Sequence, residues 1–322
     1  MSRLRLLLTA LPLRGHVHPM VPLALACRDA GHDVRFRVPG AYVGRVPLPA
    51  WDGDAPGGDV AAVRSHRDAD AMVLSRAVLG AADADRHAAA LAAGLADEPV
   101  DLVVHDATDA GAAVAAELAG VPSVAFDVGH WRPVAADRAF VEPLPPSLRV
   151  LPAPDVPVVD LRSVAWGDGG EAPPRDERPR VLVTFGTVAA GIDDVVARVR
   201  GDLARLDLDV VEAVGRHVDQ PAVLAASDVV VHHGGTSTML GCLEHGLPQV
   251  VLPQGADQHV NARRLAETGA AVVDPASVGD AVRRLLAPDA PEREAAAALR
   301  DELRAMPAPA DVVPLLGDFA RN

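Results

Sequence analysis

At 322 residues the chain is long enough for two domains, each with its own core. Hydrophobic residues make up 49% of it, so it folds as a globular protein; with aromatics at 3% and a net charge of −14, it lacks the stacking platforms and positive charge of a nucleic-acid binder. All 30 basic residues are arginine, and the absence of lysine excludes a Schiff base, a catalytic lysine and a Walker A loop.

Leu4 to Ala10 reads as a buried strand. Arg3, Arg5 and the apolar run to Leu13 faintly resemble a signal peptide, but Pro12 and Arg14 interrupt it, so the expectation is a cytoplasmic protein. No stretch is apolar for long enough to span a bilayer. A helix follows from Val21 to Asp29, closed near Gly31, then a strand from Val34 to Val38. A Pro/Gly-rich loop occupies residues 44–58, and an Ala-rich helical region runs from about Val60 to Ala96. Asp101 to His105 is a strand, Ala110 to Leu118 a helix ended at Gly120, and Val121 to Phe126 a strand. Consecutive βα units imply a parallel sheet.

From Arg132 to Arg180 the pattern degrades, and residues 167–179, charged and rich in Gly and Pro, read as a linker. The expected organisation is a first domain of residues 1–166, that linker, and a second domain of residues 180–322. The last helix is a candidate to pack back on the first domain. Alternation resumes with strand Val181 to Phe185, a helix from Asp193 to about Leu206 and strand Asp209 to Val214; strand Ala271 to Val273 and helices to about Ala305 come later. The fold class is therefore α/β: two Rossmann-like domains facing each other across a cleft. Cys27 and Cys242 lie apart in helical stretches and read as buried, reduced thiols.

Residues 228–261 are the most informative. Strand Val229 to Val231 runs into His232-His233, a Gly234-Gly235 turn and the hydroxyls of Ser237 and Thr238, at the start of a helix ended by Gly246 and Pro248. A second strand, Val250 to Leu252, is followed by Asp257-Gln258. Strand, glycine turn and helix N-terminus form an anion-receiving unit, because unpaired backbone N–H groups and the helix dipole point at the ligand. Both strand ends open on the sheet edge where doubly wound folds bind ligands.

Together with Gly246-Leu-Pro, Pro253-Gln-Gly-Ala-Asp-Gln-His-Val-Asn, Gly15-His-Val-His-Pro and Asp101-Leu-Val-Val-His-Asp, this segment resembles the two-domain (GT-B) glycosyltransferases of family 1, in the bacterial branch that decorates natural products. The resemblance implies an inverting, metal-independent transfer of a sugar from a nucleotide carrier to a hydroxyl of a hydrophobic small molecule. It makes His16, which starts a His-x-x-Pro spacing, the general base, and Asp106 the carboxylate that orients it. His232, His233, Gly234, Gly235, Ser237 and Thr238, with Gly186 and Thr187, would receive the diphosphate; Val218 and Gln220 the nucleobase; Asp257 and Gln258 the sugar. No cofactor is implied. The partners are the acceptor and the nucleotide-sugar donor, with a homodimer left open and no nucleic acid or membrane span.

Three departures stand out. Ser237 replaces a usual glycine, and the chain is short, with material trimmed from the first domain and between Val214 and Val218. Leu240 stands where relatives using ribose nucleotides often carry a glutamate, which favours a dTDP-sugar over a UDP-sugar. Two other functions stay open, a relative that has lost catalysis and acts as an activating partner, and a nucleotide-sugar epimerase. His16-Val-His18 also resembles a barrel metal pair, a reading that needs further ligands after later strands. Asp68-Ala-Asp70 and Asp83-Ala-Asp85 spell a metal-binding triplet but read as solvated helix faces. Asp106, and Asp109 beside it, also read as loop-capping residues, because Asp is common where strands meet helices.

Overall fold

The computed structural model describes residues 2–11, 13–38, 44–52, 84–133, 136–167, 169–186, 192–214 and 218–321. The chain divides into two compact units: Met1–Leu144 with Leu151–Arg162 and Met306–Asn322, and Pro145–Val150 with Ser163–Ala305.

The first unit is built on seven parallel strands in the order β3-β2-β1-β4-β5-β6-β7: β1 (Arg5–Thr9), β2 (Asp33–Val38), β3 (Ala50–Asp52), β4 (Leu102–Asp106), β5 (Ser123–Phe126), β6 (Ala139–Glu142) and β7 (Val158–Asp160). The one-turn helix α1 (Arg14–Val17) and α2 (Val21–Asp29) follow β1; α3 (Ala84–Asp97) precedes β4, and α4 (Ala110–Leu118) follows it. Strands β4, β5 and β6 are buried at every residue, as both-face-covered parallel strands must be. On one face, Leu7 and Val103 pack against Leu91 and Leu95 of α3 and Ala112 and Ala116 of α4. Strands β3, β6 and β7 fall where the sequence showed only loop and degraded pattern. They have three or four residues each, too few for a periodic signal. The last helix, Pro309–Arg321, belongs to this unit.

The second unit holds five parallel strands in the order β12-β11-β10-β8-β9: β8 (Arg180–Thr184), β9 (Asp209–Glu212), β10 (Val229–His232), β11 (Gln249–Val251) and β12 (Ala271–Val273). Helices α5 (Asp193–Leu203), α6 (Gln220–Ala225), α7 (Thr236–Glu244) and α8 (Gln258–Thr268) connect them in turn. Period-two alternation fills two cores: Val181, Val183, Val229 and Val231 face one side, and Leu182 and Val230 the other.

The expected linker is a correction. Residues 169–179 lie with the second unit, and the unit boundary falls between Arg162 and Ser163. The fully buried Arg180 guanidinium explains this: it donates to the carbonyls of Pro173 and Pro174 at 2.9 and 2.7 Å and to Asp209 at 2.7 Å. A buried charge must be satisfied, and proline supplies acceptors without competing donors. Cys27 and Cys242 are free and buried; burial raises both thiols, that of Cys27 to about 12. No helix among the described residues is long and apolar enough to cross a membrane.

Candidate active site

Strand β1 pairs with β4 in the register Leu8↔Val104 and Thr9↔His105, so the turn after β1 lies beside the end of β4. α1 carries His16 in that turn, and Pro19 lies in the tighter turn His18–Met20 that leads into α2. His16 Nδ1 lies 2.6 Å from Asp106 Oδ2. Asp106 is fully buried, and its other oxygen accepts from the backbone N–H and hydroxyl of Thr108 at 2.8 and 2.7 Å. Burial alone would push the Asp106 carboxyl up, but the His16 ring and the Thr108 donors outweigh it and hold the group below the usual carboxylate range. An ionised carboxylate only accepts, so Nδ1 carries the proton and Nε2 the lone pair. Thr108 was not singled out in the sequence, although its place two residues after an Asp is where such a hydroxyl closes a turn.

Asp109 caps α4 by accepting from Ala112 at 3.1 Å, and His87 donates to it at 2.8 Å. Arg37 in turn contacts the far nitrogen of His87, so a second His–Asp pair is buried under a structural load. His105 is buried between the Asp106 carbonyl (2.9 Å) and Asp137 (2.8 Å). Burial opposes charge on this ring, but Asp137 prevails and raises its pKa.

In the second unit, His232 ends β10 and α7 begins at Thr236, with Gly235 as a cap that has no side chain to occupy the first-turn N–H groups. Gly234 has φ +90°, and a Cβ on it would meet Val251 at 3.0 Å. A Cβ on Gly235 would lie 2.6 Å from His233 Nε2. Gly186, past the end of β8, faces the same ring. Thr187 lies outside the described residues, as do Asp68, Asp70 and Asp83.

The two histidines divide their roles. His232 is fully buried, accepts from Gly234 N at Nδ1 (3.0 Å) and donates from Nε2 to Gln249 (2.8 Å). Burial, helped by His233, lowers its pKa to about 3, so it is neutral. The sequence reading made His232 the diphosphate ligand; with both nitrogens committed inside the protein, it shapes the turn instead. His233 keeps Nδ1 sealed and, among the described residues, without a hydrogen-bond partner.

Thr238 accepts from the Gln220 amide at 3.0 Å, which joins the candidate base residue to the first turn of α7. Val218 packs on the core around Leu182 and Val230. Thr236 donates to Asp257 Oδ2 at 2.6 Å, and Asn261, one turn along α8, donates to the same oxygen and to the Gly234 carbonyl at 2.9 and 2.8 Å. Gln258 turns its carbonyl oxygen back to Gln254 and Gly255, at 2.8 and 3.2 Å. Ser237 is half-buried. Leu240 is part of the core, at 3% exposure. Asn261 also escaped the sequence reading, although its i+4 spacing from Asp257 puts both on one helix face. Among the described residues, no group of three or more His, Cys, Asp or Glu side chains gathers to hold a metal.

Residues 185–319 match the family of erythromycin biosynthesis protein CIII-like C-terminal domains. The chain is 30% identical to the elloramycin glycosyltransferase of Streptomyces olivaceus, over 96% of each chain. Among solved structures it is similar to the spinosyn forosaminyltransferase, with a TM-score of 0.82 and 26% identity over 100% of both chains. The glycosyltransferase VinC, solved in complex with dTDP, shares the fold with a TM-score of 0.81, at 23% identity over 98% of this chain and 99% of that one.

Proposed function

The chain belongs to the antibiotic glycosyltransferases of family 1, and from that premise we propose that it is an inverting, metal-independent transferase. It moves a sugar, a deoxysugar in particular, from a dTDP carrier in preference to UDP, to a hydroxyl of a hydrophobic natural product. The observation that carries this reading is the 2.6 Å contact of His16 Nδ1 with a buried, ionised Asp106. That contact leaves Nε2 as the proton acceptor. As the acceptor oxygen attacks the anomeric carbon, its proton passes to Nε2; the bond from that carbon to the diphosphate breaks, and the nucleoside diphosphate leaves with the electron pair. Attack from the face opposite the leaving group inverts the centre. Asp106 stabilises the imidazolium that forms.

The departing charge is met in the second unit by the uncapped N–H groups of α7, the helix dipole and the His233 ring. The His233 ring, whose Nε2 side faces Gly186 and Gly235 at the turn, supports His233, more than His232, as the imidazole on the diphosphate. The same fold holds dTDP in VinC. Unfolding followed in the presence of dTDP, UDP and GDP tests the donor: dTDP should raise the midpoint most, and no rise with any of the three overturns the reading. His16→Ala should abolish transfer while dTDP still binds.

A further inference from the structure

The segment past the unit boundary is clasped to the second unit at two points. Ala165 N–H donates to Glu244 of α7 at 2.9 Å, and the N–H groups of Gly169 and Gly170 donate to one Asp219 oxygen at 3.0 and 2.9 Å. The other Asp219 oxygen caps α6 through Ala222 at 3.0 Å, so both oxygens of this nearly buried carboxylate are spent on backbone. Gly167 approaches so closely that a Cβ there would lie 2.5 Å from both oxygens. The next residue, Gln220, reaches the first turn of α7 through Thr238.

Strand order gives this clasp a direction. The α7 turn follows β10, with β11 and the Asp257–Gln258 pair on one side and β8, β9 and α6 on the other. A nucleotide sugar whose diphosphate sits on that turn runs along the sheet edge both ways. Sugar hydroxyls suit the carboxylate and amide on the β11 side, so the nucleoside lies toward α6. The glycine-rich segment clasped by Asp219 is the backbone beside the start of α6.

We propose that Asp219 is a positioning residue for donor binding: it holds Gly167, Gly169 and Gly170 as the wall of the nucleoside subsite, whose occupant is the nucleoside of the nucleotide-sugar donor. This rests on the diphosphate reading above. The three glycines carry no side chain to keep a planar base and its sugar ring from the backbone.

Calorimetric titration of the full chain with dTDP, and displacement of dTDP by inorganic pyrophosphate, test it in two variants. Asp219→Ala removes the clasp and the cap; Gly170→Pro removes one clasp donor and leaves the cap. Both should weaken dTDP about tenfold, the factor that about 1.4 kcal/mol gives, with pyrophosphate unchanged and donor KM raised at constant kcat. Folded variants that bind dTDP within about twofold of wild type overturn the proposal. So does an equal loss for dTDP and pyrophosphate, which would place the effect at the diphosphate turn. A loss in Asp219→Ala alone would reduce the residue to a helix cap and also overturn it. Wild-type protein that binds no dTDP would instead overturn the donor reading itself.

Discussion

Asp106→Asn changes one atom of the first unit and should disable the base. Oδ1 accepts from Thr108 N–H and hydroxyl at 2.8 and 2.7 Å, so the amide keeps its carbonyl oxygen there. The NH2 group then takes the place of Oδ2, 2.6 Å from His16 Nδ1 and 3.4 Å from the Leu11 N–H. An NH2 group only donates, so Nδ1 must accept, and the ring proton moves to Nε2, where the lone pair is required. The substitution also removes the charge that stabilises the imidazolium. With an effective dielectric of 20 and charges about 4 Å apart, that attraction is about 4 kcal/mol, or roughly a thousandfold in rate. Adding the wrong tautomer, kcat should fall about 10³- to 10⁴-fold.

The assay is transfer under saturating donor and acceptor, with dTDP affinity measured by calorimetry as the control for folding. Affinity should hold, because the residue lies in the first unit and the turn proposed to hold the diphosphate lies in the second. His16→Ala combined with Asp106→Asn should lose no more than His16→Ala alone, since both act through one ring. A kcat for Asp106→Asn within about tenfold of wild type would refute the reasoning, as would losses that multiply in the double variant.

Thr108→Val keeps the volume but removes one donor that depresses the Asp106 pKa; the acid limb of kcat/KM should therefore move to higher pH. Gly235→Ala places a Cβ 2.6 Å from His233 Nε2, and the displaced turn should lower dTDP affinity by at least about tenfold in calorimetry. Asn261→Ala strips donors from the Gly234 carbonyl and from Asp257, and urea titration should show about 2 kcal/mol of lost stability. His232 has a folded pKa of about 3 against an ordinary 6.5, so the unfolded chain takes the proton first and this share of stability is lost as pH falls below about 6.5. Between pH 6.5 and 5 the loss is about 2 kcal/mol, and His232→Gln should remove that share of the urea-midpoint shift.

The alternation of apolar strands with helices was legible because parallel strands covered on both faces leave unbroken runs such as Leu6 to Thr9 and Val229 to Val231. Strands β6 and β7 were not, because residues 139–142 and 158–160 are too short for a period and only the single 3-10 turn Pro146–Leu148 separates them. The pairing of His16 with Asp106 was accessible only through motif resemblance: the residues lie 90 apart, and register alone brings them together. The linker was misjudged for a physical reason. Proline- and glycine-rich sequence resembles solvated chain, yet the same residues leave carbonyls and N–H groups unpaired, and here Arg180 and Asp219 use them.

The segment around His232 shows how polar residues of a motif can be used to hold the turn itself. An anion site built from backbone N–H groups works only if the turn is held in one shape, because fixed donors need no reorganisation as charge develops. Holding it takes polar side chains that then cannot reach the ligand. His232 fastens Gly234 to Gln249, and Asn261 fastens the Gly234 carbonyl to Asp257 and so to Thr236. The polarity of His232 and Asp257 marks them in the sequence, but it is met here by partners inside the protein. What the proposed reading leaves for the ligand has little side-chain signature: the N–H groups after Gly235 and the His233 ring beside them. Substituting His232 or Asn261 should therefore weaken nucleotide binding and stability together, whereas a group that touches only the nucleotide should weaken binding alone.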